Sequence, residues 1–254
     1  MGDYLFISEG SRDEAKLLNS LFHEMKRDDR QHCYYYSCNL HALANLLLPT
    51  DGDDLEGIDL LMTLRGSCRS QQDYELLSHR YTDVILIFDF EPQENAPAFE
   101  KIRKMAAYFN DSTDNGKLYI NYPMMQSYRH LIAPLPDQGF EFRTAKRYIP
   151  GGYKQLVEQE ARAIPSGTQT FDHFQLYTMA VHHLKKREKV LGRPYGIPED
   201  YDEAEDERLF DIQTQKLFTE ECCYVLNTSI LLLVAYQPTK FLREVTAHPD
   251  RYAI

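Results

Sequence analysis

Val84-Ile85-Leu86-Ile87-Phe88-Asp89-Phe90-Glu91 is the stretch on which the reading of the fold turns. Five consecutive apolar residues, three of them branched at Cβ, are too few for a stable buried helix and suit a strand covered on both faces. The run ends on Asp89, with Glu91 two positions on. Side chains at i and i+2 of a strand point the same way, so the spacing predicts two carboxylates on one side of a strand end. Working outward, Leu5-Phe6-Ile7-Ser8-Glu9-Gly10 repeats the pattern: a short apolar run ends on an acid, and Asp13 and Glu14 follow. Ligands of open α/β sheets bind beyond the carboxyl ends of the strands. Two acidic strand ends meeting at one cleft would hold a divalent cation, an arrangement that suggests phosphoryl-transfer chemistry.

The flanking segments alternate. Tyr4–Ser8 is a strand candidate, and Ser11 with Glu14 forms a capping-box pattern ahead of Leu17, Leu18, Leu21, Phe22 and Met25 at helical spacing. The polar run Lys26–Gln31 should end that helix. Cys33–Tyr36 is a second strand candidate. Leu40, Leu43, Ala44 and Leu47 form a short helix stopped by Pro49, and Asp51–Asp54 is a loop. Ile58–Leu64 is apolar at mixed spacing and fits either state. Beyond the strand at 84–88, Phe99, Ile102, Met105, Ala106 and Phe109 mark a helix. Asn110–Asn115 is a turn, Lys117–Asn121 a strand and Met124–Ile132 a short helix. This order predicts a parallel sheet flanked by helices on both sides. The character changes around Pro134, Pro136 and Gly139. An α/β domain over 1–135 is therefore expected, followed by a mostly helical cap or partner-binding region over 136–254. Its helices are read at Tyr153–Ile164, Asp172–Leu191 and Leu209–Tyr236, the last with a break near Asn227.

Composition narrows the class. The 254 residues are 43% hydrophobic, ordinary for a globular protein, and no apolar run approaches the ~18 residues that cross a bilayer. No basic stretch leads into a long apolar one at the N-terminus, so no secretory signal is expected. The five cysteines are odd in number and lack CxxC spacing; they read as reduced thiols of a cytoplasmic protein. A net charge of −11 argues against coating duplex nucleic acid by electrostatics alone, yet leaves room for a nuclease with a local basic patch or a metal ion. The acidic run Glu199–Asp211 and the basic run Lys185–Lys189 read as a loop and solvated helix faces. Adjacent histidines on a helix diverge by about 100°, so His182-His183 reads as helix surface rather than a metal site. Cys222-Cys223 reads as core thiols in a helix. There is no GxxxxGK[ST] and no GxSxG.

The candidate chemistry rests on oxygen ligands. Mg²⁺ keeps several waters and is usually held by one or two carboxylates plus substrate phosphates. Glu9, Asp89 and Glu91 are the leading ligands, with Asp13 and Glu94 available for a second ion. Glu9 has an alternative role as general base.

Ser8-Glu9-Gly10-x-x-Asp13 resembles the glutamate motif of the TOPRIM domain, and Phe88-Asp89-Phe90-Glu91 resembles its DxD motif with Glu in the second position. The segment Gly116–Tyr128 is similar to one in small bacterial TOPRIM proteins of phage defence, the OLD-like and RloB-like group. In these a proline is commonly followed, three residues on, by a glutamate; here Pro123 is followed by Gln126. The resemblance covers roughly residues 3–133. It implies a TOPRIM-like fold and a Mg²⁺- or Mn²⁺-dependent endonuclease with Glu9, Asp89 and Glu91 at the metal and Lys117 contacting the scissile phosphate. It also implies an effector role in anti-phage defence, on DNA or RNA, transfer RNA included, beside a separate ABC- or OLD-type ATPase, with the helical half as cap, partner surface or homodimer contact. Two rival readings stay open: a non-catalytic TOPRIM-like interaction subunit of an ATPase complex, supported by Gln126 and the acidic charge, and an unrelated doubly wound α/β phosphohydrolase acting on a small molecule.

Overall fold

Short branched runs become strands, and the helical stripes become helices. The computed structural model describes residues 2–10, 12–25, 29–50, 52–68, 70–95, 97–164, 170–201 and 205–252. The first half runs β1 (Asp3–Ser8), α1 (Asp13–Met25), β2 (Arg30–Tyr35), α2 (Leu40–Leu47), α3 (Leu60–Gly66), α4 (Gln71–Leu76), β3 (Asp83–Asp89), α5 (Phe99–Tyr108), β4 (Asn110–Asp111) and β5 (Gly116–Asn121). The second runs β6 (Thr144–Lys146), α6 (Gly152–Glu160), α7 (His173–Val190), α8 (Asp206–Glu220), β7 (Cys222–Tyr224), α9 (Leu232–Tyr236), α10 (Pro238–Ala247) and α11 (Pro249–Tyr252). The architecture is a central mixed sheet flanked by helices, with a mostly helical C-terminal region. No helix among the described residues is long and apolar enough to cross a membrane.

The chain divides into two compact units, each discontinuous in sequence: Met1–Ser11, Asp28–Phe88 and Glu94–Tyr119 form the first, and Arg12–Arg27, Asp89–Gln93 and Ile120–Ile254 the second. The first unit carries most of the sheet, in the order β2-β1-β3-β5-β4. β1 lies parallel to both neighbours, with Phe6 opposite Cys33 and Ile85, and Ser8 opposite Ile87. Ile85, Leu86, Ile87 and Phe88 are buried, as a strand covered on both faces requires. The sheet is mixed rather than wholly parallel, because β4 pairs antiparallel with β5. The physical reason is the tight turn between them. Asp111 Oδ1 accepts from the N–H and hydroxyl of Thr113, and Gly116 takes a φ of 110°, so the chain reverses without room for a crossover. The ambiguous Ile58–Leu64 resolves as helix because Asp59 caps it, accepting from the Met62 N–H at 2.8 Å. α2 is capped likewise by Asn39. The Met124–Ile132 helix is a 3-10 turn over Met125–Arg129, and α4 has no counterpart in the sequence reading. Ser11 of the expected capping box, Lys26, Arg27 and Asp28 of the helix-ending run, Asp51, and Asp202, Glu203 and Ala204 of the acidic run lie outside the described residues.

The second unit is built on α7, started by a capping box between Asp172 and Gln175. Here the charge reading is corrected. Lys186, Arg187 and Glu188 are buried rather than solvated, and so are His182 and His183. Buried polar groups need partners, and these have them. Lys186 donates to the carbonyls of Phe140 (2.8 Å) and Arg143. His182 donates from Nδ1 to the Thr178 carbonyl and accepts at Nε2 from the Asp137 N–H. His183 accepts at Nδ1 from the Asn227 N–H and donates from Nε2 to the Tyr128 carbonyl. The expected helix over Leu209–Tyr236 is also corrected. α8 ends at Glu221 in left-handed backbone (φ 53°), and Cys222-Cys223-Tyr224 leaves the helix to pair antiparallel with β6. The two cysteines therefore sit in a strand, Cys223 buried and Cys222 half-buried; all five thiols are free.

Burial pushes the imidazoles of His182 and His183 down, and that of His130 to about 4 despite its contact with Glu160. Each histidine is neutral when folded and more basic when unfolded. Their contribution to stability is therefore complete above pH 6.5 and lost as pH falls toward 4. Urea unfolding at pH 7.0, 5.5 and 4.5 should show a midpoint that falls at each step; a midpoint that holds constant across this range would contradict the neutral-imidazole core.

Candidate functional site

β3 ends on Asp89, the first residue of a turn, Asp89–Gln93, that belongs to the second unit. Asp89 closes β3 and is buried. The next two N–H groups are taken in order: Phe90 donates to the Asn121 carbonyl at 3.0 Å and Glu91 to the Pro123 carbonyl at 3.1 Å. The Phe90 ring is buried against Tyr122 and Phe210, at 5.0 and 5.9 Å between centroids. Glu91 adopts a φ of 45°, a conformation that costs a non-glycine residue about 1–3 kcal/mol and persists only where its surroundings impose it. Strand alternation thus stops at Asp89. The direction of Glu91 is set by a left-handed turn, not by the pleat that the sequence argument assumed.

The remaining acidic candidates fall into three groups. Asp13 opens α1 in the second unit, where its Oδ2 accepts from Gln126 Nε2 at 2.7 Å and Lys154 Nζ at 3.2 Å. Burial pushes the Asp13 carboxyl up, but the Gln126 hydrogen bond and the Lys154 charge outweigh it and hold the group below the usual range. Gln126 Oε1 is buried and accepts no hydrogen bond among the described residues. Glu94, in the first unit, accepts from Asn39 Nδ2 and from the Asn95 N–H, so it supports the cap of α2. Glu9 follows the last residue of β1 and is half-buried. Lys117 lies on β5 and is only 2% exposed, with its ammonium 5.9 Å from the centre of the Tyr119 ring. Among the described residues no group of three or more His, Cys, Asp or Glu side chains is placed to hold a metal ion.

A feature the sequence reading missed lies beside the acidic turn, within the same unit. A cleft of about 540 Å³ is lined by Pro92 and Gln93 of that turn, by Pro123 and Met124, and by the chain from Lys146 to Lys154. Three cations line it: Lys146, Arg147 and Lys154. Arg147 is held from two sides, donating from Nε to the Pro92 carbonyl at 3.1 Å and pairing with Glu221 at 3.6 Å. Its guanidinium lies 5.5 Å from the centre of the Tyr148 ring, which is 63% exposed. The far wall is fixed by Tyr153, whose hydroxyl donates to His130 Nδ1 at 2.8 Å while His130 Nε2 donates to Glu160 at 3.0 Å. That connectivity is the hydroxyl–imidazole–carboxylate relay of nucleophilic catalysis. Here the hydroxyl points inward, and burial pushes it well above the usual phenol range, so the relay ties the first turn of α6 to the core. The sequence signal for the cleft was Lys146-Arg147-Tyr148 ahead of Pro150-Gly151-Gly152 and Lys154: cations and an aromatic gathered by a glycine turn.

No protein-family model, no curated protein and no solved structure matches the chain.

The Gln126–Asp13 bond makes its own prediction. Gln126→Glu replaces an N–H donor with a second carboxylate in a buried position, and the like charges should destabilise the fold by about 1–3 kcal/mol at pH 7. Added Mg²⁺ should restore part of the loss. Thermal unfolding with and without Mg²⁺ measures both effects; equal stability of the variant and the parent would show that the Asp13 contact has no energetic weight.

Proposed function

We propose that the chain is a TOPRIM-like protein that binds nucleic acid and hydrolyses its phosphodiester bonds with a divalent cation. The observation that carries this reading is the placement of a strained, anchored carboxylate turn, Asp89–Glu91, next to a cleft lined by cations and an exposed tyrosine. Strain held at one residue by surrounding hydrogen bonds is a common mark of a working site. Cations at a cleft lower the cost of bringing a phosphate chain to an acidic protein.

The donor set fits a cation only in part. Asp13 and Glu94 are committed to protein donors. Asp89 and Glu91 would be the residues to hold the ion, which usually takes one or two carboxylates from protein and the rest from water and substrate phosphate. A bound Mg²⁺ or Mn²⁺ supplies a Lewis acid that polarises a phosphoryl oxygen and offsets developing charge. The chain's own groups do the rest. Through such an ion Asp89 and Glu91 would hold the reacting phosphate at the turn, since bare carboxylates would repel it. Lys146 and Lys154 attract the flanking phosphates, and Arg147 keeps the cleft wall in register with Pro92.

A second reading, binding without turnover, is favoured by one observation: Gln126 stands where the resemblance leads one to expect a glutamate, and its amide, with Lys154, occupies Asp13, the acid available for a second ion.

Incubation with plasmid, single-stranded oligonucleotides and transfer RNA, with Mg²⁺ or Mn²⁺ and with chelator, separates the two. Hydrolysis should require the cation and fall by about 10²–10³-fold in Asp89→Asn and Glu91→Gln. Full cleavage by Asp89→Asn would discard the mechanism, and no cleavage of any substrate would leave the binding reading.

A further inference from the structure

Resting on the reading of the cleft as the phosphate-handling site, we propose that its occupant is an unpaired nucleic-acid strand, one base of which stacks on Tyr148 while neighbouring phosphates lie against Lys146 and Lys154.

Three observations favour a single strand over a duplex. The first is size: about 540 Å³ is the volume of a site that encloses a small ligand, enough for a short stretch of unpaired chain. The second is the platform. Tyr148 is exposed, yet its ring is backed by the Arg147 guanidinium, which is itself fixed by the Pro92 carbonyl and Glu221. An exposed tyrosine backed on one side by a cation offers its ring to a base, and only an unstacked base can use it. The third is charge. Arg147 and Lys154 already face carboxylates, Glu221 and Asp13, and the whole chain carries −11. Cations so balanced cannot supply the many phosphate contacts on which duplex binding rests. Stacking therefore carries more of the affinity than charge does. An acidic peptide would meet the cations equally well, but it would leave the tyrosine face unused.

The test is fluorescence anisotropy with the full chain and a labelled 12-nucleotide strand, as DNA and as RNA, in chelator so that no hydrolysis intervenes. The same strand annealed to its complement and a glutamate-rich peptide serve as competitors. The single strand should bind at least tenfold more tightly than the duplex. Tyr148→Ala should weaken binding roughly tenfold or more, and Tyr148→Phe, which keeps the ring, should not. Because Tyr148 is exposed, its truncation leaves the core intact. The logarithm of affinity should fall with the logarithm of salt at a slope of about −2 or shallower. Equal affinity for duplex, indifference to Tyr148→Ala, or displacement by the peptide as readily as by the strand would each overturn the proposal. Cation-dependent hydrolysis without Tyr148-dependent binding would overturn this site and leave the hydrolytic reading standing. Tyr148-dependent binding without hydrolysis would do the reverse.

Discussion

His183 accepts one hydrogen bond and donates another, and the order of the second unit depends on both. A neutral imidazole offers one donor and one acceptor at opposite sides of a rigid ring; the charged form offers two donors and could not serve. His183 uses the pair to join the Asn227 N–H to the Tyr128 carbonyl. From there the bonds run without a gap to the acidic turn. Asn227 Nδ2 donates to the Met125 carbonyl and to Ser127, fixing the 3-10 turn that bears Gln126. Leu226 and Tyr122 exchange backbone hydrogen bonds, and Asn121 and Pro123 on either side of Tyr122 accept from Phe90 and Glu91. The left-handed Glu91 is thus held by a ladder that begins inside α7. The low-dielectric interior makes every rung electrostatically firm and makes an unpaired rung expensive.

How much of this was legible follows from which physical rule each segment obeys. The strand at 84–88 was plain because a fully covered strand leaves a signature in side-chain type alone. α5 was plain because its stripe has one buried face. The basic run of α7 was misread because the usual rule sends charge to solvent. Lys186 breaks the rule by finding two carbonyls, a fact about the loop at 140–143 that no local pattern in α7 contains. The two residues of β4 owe their existence to the tight turn into β5, while β6 and β7 have three residues each and owe theirs to a partner strand distant in sequence. The same holds for the stop of α8 at Glu221: its composition allows the helix to continue, and pairing with β6 ends it.

The candidate site divides along the same line. Asp89 and its closeness in sequence to Glu91 could be read directly, because both belong to one short motif. The direction of Glu91 could not, since it follows from carbonyls at 121 and 123. The cleft could be read only in fragments. Lys146-Arg147-Tyr148 is an ordinary surface triplet until the Pro92 carbonyl is found to hold Arg147. Asp13 illustrates the opposite error: an acid in a promising motif proves to be neutralised by a lysine far along the chain.

The neighbouring histidines of α7 hold opposite tautomers, His182 protonated at Nδ1 and His183 at Nε2. This bears on how the sequence is free to drift. An asparagine approximates the near nitrogen of an imidazole and a glutamine the far one, but neither reaches both partners at once. A carboxylate lacks the donor, and an apolar ring lacks everything but shape. Each position is therefore closed to single steps, and an exchange becomes tolerable only when a backbone group on another segment changes its own bonding in company. Two adjacent letters on one helix in this way tie together the backbone bonding of segments near 128, 137 and 227.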